Sequence, residues 1–350
     1  MKKIFITGNM GYIGPVLVKH LKEKYEDLKI IGCDTGFFAN SLTGEDFFPE
    51  NFIDIQLFKD VRHLSVEDLN GCDSVIHLAA ISNDPMGKEF QNVTKEINQN
   101  SSIKLANLSA QAGVKNFVFA SSCSMYGKAD DNVPKTEIDI TNPLTAYAKS
   151  KIGTEDELEI IDSKDMIITS LRFATACGMS DRLRLDLVLN DFVACAITSG
   201  EITVLSDGSP WRPLIDVKDM SRAIDWGMFR TGVNGGKFLK VNAGSDMNNY
   251  QVKDLAAMVK EIIPNTKISI NKDALPDKRS YKVGFGLFKK LAPNFQPIVN
   301  LSQSVKELYN GIKKMGLKEN NFRESKYMRL IMLKKLLNNN LINNELYWNK

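Results

Sequence analysis

The first half of the chain alternates short apolar runs with longer segments of helical periodicity. The apolar runs are Lys3–Thr7, Lys29–Cys33, Asp73–Leu78, Asn116–Ala120 and Met166–Leu171. In the segments between them, apolar residues recur every three or four positions; these segments include Tyr12–Tyr25, Asn98–Gly113 and Pro143–Ile161. Strands buried on both faces are apolar along their whole length. The pattern therefore predicts an α/β fold, a doubly wound parallel sheet with crossover helices, over residues 1–172.

The pattern becomes mixed after residue 172. It predicts a further strand at Phe238–Asn242 and helices near Asp254–Ile263 and Ser302–Met315, separated by glycine-containing loops. We expect a smaller mixed C-terminal lobe over residues 173–315, whose segments can interleave with the first lobe. Residues 316–350 form a basic tail in which Tyr327–Leu337 predicts an amphipathic helix. Docking of this helix on the body or on a partner subunit is favoured over binding to an anionic surface.

Composition and charge limit the possible partners. Of 350 residues, 43% are hydrophobic and 25% charged, as in an average globular protein, and the net charge of +3 does not require a nucleic-acid partner. Residues 313–350 hold nine basic and three acidic side chains, so this part carries +6 and the rest −3. We expect the basic tail to lie outside the chemistry. The five cysteines are far apart and form no CxxC, which argues against a disulfide framework and a metal site. Without an export signal or a long apolar run, we expect a cytoplasmic protein with no membrane partner.

A glycine-rich turn follows the first predicted strand. Gly8, Gly11 and Gly14 have the spacing GxxGxxG and enclose Tyr12 and Ile13 before an apolar helix. Glycines at such a turn let backbone N–H groups approach a pyrophosphate at a helix N-terminus, as in Rossmann folds. Asp34 ends the next strand, 20 residues after Gly14, where a carboxylate can bind an adenine ribose 2′-hydroxyl and would repel a 2′-phosphate. The expected cofactor is NAD rather than NADP.

Tyr147 and Lys151 are four residues apart in a predicted helix, so their side chains lie on one face. An ammonium group near a phenol favours the phenolate and brings a group of reference pKa about 10 toward working pH. The pair is therefore a candidate general base with its activating cation.

In this context the sequence resembles the extended short-chain dehydrogenase/reductase family, in particular its nucleotide-sugar epimerases and dehydratases. The matching motifs occur in the family's order over most of residues 1–315. They are the glycine turn, Asp34, Asp60-Val61, His77-Leu78-Ala79-Ala80, Ser121-Ser122 to Tyr126-Gly127, Tyr147 to Lys151, Leu171-Arg172-Phe173, Trp211-Arg212 to Met220, Val241 to Gly244, and Pro276-Asp277-Lys278-Arg279.

The resemblance implies roles for individual residues. Ser122 would bind the reacting sugar hydroxyl, Tyr147 would take its proton, and Lys151 would hold the nicotinamide ribose and lower the tyrosine pKa. Cofactor contacts would come from the glycine turn, Asp34, Asp60, Val61, Leu78, Ala79, Ala80 and Ser121. Among these, Asp60 and Val61 would flank the adenine. Arg212 and Arg279 would bind the diphosphate of the substrate, a task that suits a planar guanidinium, and Asn190 matches a further diphosphate position. Alternatives are a salt bridge of Arg212 with Asp216 or Asp219, and a surface position for Arg279.

Departures from the family pattern concern the sugar. Cys123 and Ser124 stand where relatives that eliminate water carry an acid directly after the catalytic Ser or Thr, which disfavours a 4,6-dehydratase; Cys123 is favoured as an apolar filler over a reactive thiol. Asn83, Asp84 and Thr175 are expected near the sugar and the nicotinamide, and Cys123 and Ser124 are also expected at the substrate site. The run from Gly178 to Asn190 is similar to bacterial members that act at sugar C4.

The predicted activity is NAD-dependent oxidation at C4 of a nucleotide-diphosphate sugar, by a 4-epimerase or a 4-dehydrogenase, in bacterial-type surface polysaccharide biosynthesis. A 4,6-dehydratase, a 4-keto reductase and a non-catalytic NAD-sensing scaffold are the alternatives. The family resemblance also implies a homodimer formed through the helices around Asn98–Gly113 and Pro143–Ile161.

Overall fold

The computed structural model describes residues 2–44, 47–129, 133–271, 274, 279–317 and 321–349. The strands in chain order are β1 (Lys3–Thr7), β2 (Lys29–Asp34), β3 (Ile55–Phe58), β4 (Ser74–His77), β5 (Asn116–Ser122), β6 (Ile167–Phe173), β7 (Thr175–Cys177), β8 (Glu201–Val204), β9 (Trp211–Asp216), β10 (Phe238–Ala243), β11 (Asn249–Gln251) and β12 (Lys267–Ile270). The helices are α1 (Gly14–Lys24), α2 (Asp84–Glu89), α3 (Gln91–Lys95), α4 (Ser101–Gln111), α5 (Ala146–Ile160), α6 (Val188–Thr198), α7 (Val217–Phe229), α8 (Val252–Ile262), α9 (Gly286–Leu291), α10 (Leu301–Lys314) and α11 (Arg329–Asn338).

Seven parallel strands form the central sheet in the order β10-β6-β5-β4-β1-β2-β3. From β1 the chain continues outward through β2 and β3, then returns to the other side of β1 and continues through β4, β5 and β6. The carboxyl ends of β1 and β4 are neighbours at this reversal, and in open α/β sheets such a crevice is where ligands bind. The predicted doubly wound parallel sheet is confirmed.

Helices cover both faces of this sheet. On one face, Leu17 of α1 and Ile224 of α7 are buried in a cluster with sheet residues. On the other face, Leu105 of α4 and Leu158 of α5 are buried against Phe117 of β5. The sheet is thus apolar on both sides, which is why its strands appear as continuous apolar runs in the sequence.

The second lobe contains a three-stranded sheet in the order β11-β9-β7 and the parallel pair β12-β8. Its core is formed with α6, α8 and α10, through residues such as Leu189, Leu255 and Val305. Two elements from the range assigned to this lobe by sequence return to the first lobe: α7 packs on the central sheet, and β10 pairs with β6 as its edge strand. The two lobes interleave, and a single boundary at residue 172 does not separate them.

The tail docks on the body, as the apolar spacing predicts. Leu333 and Leu336 of α11, followed by Ile342 and Leu346, are buried in the cluster that also holds α4 and α5. Within the described residues, no helix is long and apolar enough to cross a membrane.

Candidate active site

A cavity of about 860 Å³ lies at the carboxyl ends of the central strands and extends to the second lobe. Its size is that of a site for a small-molecule ligand or cofactor. Gly8, Asp34, Ser122 and Tyr147 line it from the first lobe, and Arg212 from the second. Residues that are far apart in the sequence therefore meet in one enclosure.

The glycine turn after β1 needs glycine at two positions for steric reasons. Gly8 has φ +74°, and a Cβ there would lie 2.6 Å from the backbone nitrogen of Ala79. A Cβ on Gly14 would lie 1.9 Å from the carbonyl oxygen of Asn9. Gly11, Tyr12 and Ile13 line the cavity, whereas Gly14 does not and instead lets α1 approach the turn. The turn exposes backbone at the N-terminus of α1, as pyrophosphate binding requires.

The Asp34 carboxylate is fixed on the cavity wall at the end of β2. It accepts hydrogen bonds from the backbone N–H groups of Met10, at 3.1 Å, and Gly36, at 2.8 Å, while burial raises its pKa. The predicted cofactor residues Asp60, Val61, Leu78, Ala79, Ala80 and Ser121 all line the same cavity. Among the described residues, the buried Ser121 hydroxyl is one of few side-chain groups without a hydrogen-bond partner. These residues fit a dinucleotide with a free 2′-hydroxyl.

Ser122, Tyr147 and Lys151 converge beside this dinucleotide site. Ser122 ends β5, and Tyr147 lies in the first turn of α5, whose N-cap Thr145 accepts a hydrogen bond from the N–H of Ala148 at 3.1 Å. The Lys151 ammonium is one helical turn further on, 5.6 Å from the centre of the Tyr147 ring. It donates to the carbonyl oxygen of Ala120 at 2.7 Å.

The electrostatics of this trio differ from the sequence-based expectation. Burial raises the pKa of Tyr147 to about 12, and the opposing influences are a hydrogen bond with Ser122 and the charge of Arg184. Burial lowers the pKa of Lys151 to about 7, although Glu155 acts in the other direction. Ser122 and Arg184 are thus the groups that favour the phenolate in this structure, while Lys151 donates to the Ala120 carbonyl.

The predicted sugar-side residues Asn83, Asp84, Ser124 and Thr175 also line the cavity. Asn83 caps α2 and donates from its amide to Asp186 at 2.6 Å. Asp84 accepts hydrogen bonds from the hydroxyl of Thr145, at 2.7 Å, and from the guanidinium of Arg279, at 2.8 Å. Asp84 therefore connects the N-terminus of α5 with the second lobe.

Two sequence-predicted substrate residues lie outside the cavity lining. Cys123 is fully buried, its thiol donates to the carbonyl oxygen of Arg172 at 3.1 Å, and burial raises its pKa. Asn190 is also fully buried, and its amide accepts from the N–H of Gly178, at 3.1 Å, and donates to the carbonyl oxygen of Arg184, at 2.8 Å. The geometry corrects both assignments, because these side chains bind the protein interior instead of facing a ligand.

Arg212 and Arg279 reach the cavity from the second lobe. Arg212 donates to the carbonyl oxygens of Trp211, at 2.8 Å, and of Arg279. The two carboxylates considered as alternative salt-bridge partners of Arg212 bind other donors. Asp216 accepts from the Ser304 hydroxyl at 2.6 Å, and Asp219 accepts from backbone N–H groups of residues 298 and 299. Pro276, Asp277 and Lys278 of the same motif lie outside the described residues.

Among the cavity residues that were not predicted, two groups carry charge. Arg184 and Asp186 form a buried ion pair at 2.9 Å, and Arg184 also donates to Ser82 at 3.0 Å. Their signal was the alternation of charged residues with leucines in 182–187, since buried charges need partners. The second group, Arg323, Met328, Arg329 and Leu333, belongs to the tail. Part of the tail therefore lines the same cavity as the predicted cofactor residues.

The sheet, the glycine turn and the Ser-Tyr-Lys arrangement define an NAD-binding protein of the extended short-chain dehydrogenase/reductase type. The model of the NAD dependent epimerase/dehydratase family matches residues 4–244, and the chain belongs to this family. Its cofactor is NAD, as the Asp34 carboxylate predicts.

Similar proteins include UDP-arabinose 4-epimerase 1 of Arabidopsis thaliana, which is 30% identical over 193 residues, or 52% of this chain and 45% of that protein. The match thus spans less than half the length of this relative. The structure of UDP-glucuronic acid 4-epimerase from Bacillus cereus, in complex with UDP-glucuronic acid and NAD, superimposes with a TM-score of 0.74 at 21% identity, over 89% of this chain and 99% of that one. The structure of TunA, an NDP-hexosamine 5,6-dehydratase involved in tunicamycin biosynthesis, superimposes with a TM-score of 0.74 at 21% identity, over 92% of this chain and 100% of that one. At such identities the structural likeness concerns the fold.

Proposed function

We propose that this protein oxidises C4 of a nucleotide-diphosphate sugar and acts as a 4-epimerase or, if the keto sugar is released, as a 4-dehydrogenase. The observation that carries the proposal is the convergence of Ser122, Tyr147 and Lys151 next to the dinucleotide turn. The same cavity extends to Arg212 and Arg279, whose guanidinium groups suit a diphosphate. The names of the relatives as sugar 4-epimerases favour the first outcome.

In this mechanism the side chains position the sugar and transfer a proton. The Ser122 hydroxyl binds the C4 hydroxyl, and the Tyr147 phenolate oxygen accepts its proton as general base. Bound NAD supplies the acceptor for the C4 hydride. Tyr147 is regenerated when it returns the proton to the C4 oxygen. Ser122 and Arg184 make proton removal easier because both favour the charged form of the phenol. Lys151 would hold the ribose next to the nicotinamide ring.

Elimination of water is disfavoured because it needs an acid and a base besides the tyrosine. Directly after Ser122, Cys123 is buried and faces the Arg172 carbonyl, and burial raises the pKa of its thiol. Ser124 is an alcohol with no tendency to ionise. A 4-keto reductase would use the same groups in the reverse direction and is distinguished by its substrate.

The test is a panel of UDP-, GDP-, CDP- and dTDP-sugars, followed by absorbance of bound NADH and by NMR of the products. A product inverted at C4 supports the epimerase, and a 4-keto sugar with accumulated NADH supports the dehydrogenase. A product formed by elimination of water would contradict the argument from the burial of Cys123. Absence of turnover and of NAD reduction with every sugar would favour the non-catalytic scaffold, as would full activity in Tyr147→Phe.

Two further features belong to the proposal. We expect a homodimer in which α4 and α5 of each subunit form the contact, which sedimentation equilibrium would test; a monomer at all concentrations would contradict it. Surface polysaccharide biosynthesis is the proposed pathway. Accumulation of the identified sugar nucleotide in a deletion strain that lacks its polysaccharide would support this assignment.

A further inference from the structure

The last part of the chain packs against the side of the cavity where Asp34 lies. The indole N–H of Trp348 donates to the carbonyl oxygen of Thr35, the residue after Asp34, at 2.7 Å, and its ring lies 5.4 Å from that of Phe37. Both Thr35 and Phe37 line the cavity. The end of the chain is thus attached to the loop that carries the ribose-binding carboxylate.

A second attachment involves the loop after β3, whose residues Asp60 and Val61 line the cavity. The guanidinium of Arg62 lies 3.5 Å from the centre of the Tyr347 ring and donates to the carbonyl oxygens of Glu345, at 2.7 Å, and Leu346, at 3.1 Å. Leu346 itself is fully buried. Residues 345–348 therefore bridge the two loops that form the predicted adenosine end of the NAD site.

Arg329 of α11 brings a cation into the same cavity. Its side chain is 1% exposed and stacks on Phe38, with 4.5 Å from the guanidinium carbon to the ring centre. One terminal nitrogen, Nη2, donates to the carbonyl oxygen of Arg182 at 2.9 Å, whereas the other, Nη1, is buried without a hydrogen-bond partner among the described residues.

Neighbouring arginines differ from Arg329 in having carboxylate partners. Arg182 pairs with Glu50 at 2.5 Å, Arg184 with Asp186 at 2.9 Å, and Arg323 with Asp191 at 2.9 Å. Among the ion pairs found in the described chain, none includes Arg329. A buried cation without an ion-pair partner is costly, and burial lowers the pKa of Arg329 to about 9. An anionic ligand in the cavity would relieve this cost.

We propose that residues 321–349 form a latch over the adenosine half of the NAD site, in which Arg329 binds the pyrophosphate of the cofactor. The NAD pyrophosphate is favoured over the substrate diphosphate because Arg329 lies against Phe38 and near Asp34, whereas Arg212 and Arg279 lie on the second lobe. The latch slows exchange of NAD between turnovers. It uses the same NAD site as the proposed function but does not depend on which sugar is the substrate.

Arg329→Met in the purified holoenzyme tests the pyrophosphate contact. Excess isotope-labelled NAD is added, and the replacement of bound cofactor is followed by mass spectrometry after rapid desalting. Charge-assisted hydrogen bonds contribute about 1.5–3 kcal/mol, so we expect release to accelerate about 10- to 160-fold. Lys335→Met is the matched control, since Lys335 lies on the same helix, is exposed and donates to the carbonyl oxygen of Glu324. It should release NAD at the parental rate.

The apo protein separates binding from folding. Arg329→Met removes a buried cation without an ion-pair partner, so the melting temperature of NAD-free protein should be unchanged or higher. Arg329→Lys should release NAD at an intermediate rate. NAD release from Arg329→Met at the parental rate would overturn the proposal. A rise confined to the KM of the sugar nucleotide would also overturn it, because it would place Arg329 at the substrate diphosphate.

Trp348→Ala tests the latch separately from the charge. Trp348 is 44% exposed, so its truncation leaves the buried part of the tail in place. Loss of the bond to Thr35 should accelerate NAD release while Arg329 is intact. An unchanged exchange rate would show that the end of the chain does not retain the cofactor. Either result is independent of catalysis, so failure of the latch and failure of the proposed function are distinguishable.

Discussion

Replacement of Lys151 by methionine tests whether this lysine is desolvated as the structure indicates. The side chain is 3% exposed, its ammonium donates to one carbonyl oxygen, and burial lowers its pKa from 10.5 to about 7. Between pH 7 and 10.5 the unfolded chain therefore binds more protons at this residue than the folded protein does. Stability should increase with pH across this window and, as far as Lys151 is concerned, stay constant below it.

The expected size follows from the two pKa values of Lys151. Integrating the difference in proton binding from pH 7 to pH 10 gives about 3.5 kcal/mol. With an unfolding entropy of about 2.1 cal/mol/K per residue over 350 residues, 1 kcal/mol corresponds to about 1.4 °C, so the melting temperature should respond by about 5 °C.

The assay is calorimetry of NAD-free wild type and Lys151→Met at pH 7 and pH 10. Methionine does not titrate. The melting temperature of the variant minus that of the wild type should therefore be about 5 °C higher at pH 7 than at pH 10. Lys149→Met, which changes an exposed lysine on the same helix, should show no such difference. Parallel pH profiles for wild type and Lys151→Met would refute the inference that Lys151 is desolvated.

Three further predictions concern catalysis, the glycine turn and the core. Tyr147→Phe should lower kcat about 10²- to 10⁴-fold while the amount of bound NAD stays unchanged. In the wild type, kcat/KM should increase with pH above neutrality because burial raises the pKa of Tyr147 to about 12. A pH-independent kcat/KM would contradict the role of Tyr147 as general base. Gly8→Ala should abolish NAD binding in a titration, because φ is +74° and a Cβ would lie 2.6 Å from backbone, whereas Gly286→Ala has open space and should bind normally. Arg172→Met should lower the free energy of unfolding, measured with denaturant, by about 3–5 kcal/mol, because it leaves Glu155 buried without the arginine that pairs with it at 2.7 Å. The double variant Arg172→Met/Glu155→Met should recover much of that loss. No recovery would contradict the pairing argument.

The sequence was sufficient to predict the long strands of the central sheet because they are apolar on both faces. The short edge strand β3, in which Ile55 and Phe58 are exposed, was not predicted. The predicted run Asn116–Ala120 falls within β5, and Lys3–Thr7 coincides with β1. The sequence also predicted the strand at Phe238–Asn242, but not its position in the central sheet. Its place beside β6 depends on α7, whose residues Met220 and Ile224 pack on the sheet after the chain has passed through the second lobe. Apolar periodicity indicates an element, and only the packing of its neighbours determines the lobe to which it belongs.

The cofactor side of the site was more predictable than the substrate side. Gly8 and Asp34 are constrained by local backbone geometry and by a fixed spacing, so their environment is visible in a short stretch of sequence. Asn190 and Cys123 were assigned by position in a motif, but their side chains turn into the core, where backbone groups bind them. A motif position determines where the backbone lies, whereas the direction of a side chain depends on the donors and acceptors around it.

The basic tail shows why net charge was a poor guide to its role. The excess of +6 in residues 313–350 suggested that the tail lies outside the chemistry, yet the position of each cation depends on the helix face that carries it. Arg329 precedes Leu333 by four residues, so it shares the face that docks into the core, while Lys334 lies on another face and pairs with Glu89 at the surface. An arginine on the apolar face of a docked helix must find an anion or remain uncompensated. Because Arg329 forms no ion pair within the described protein and lines the cavity, the amphipathic pattern of the tail, rather than its charge, supports the proposed contact with the cofactor.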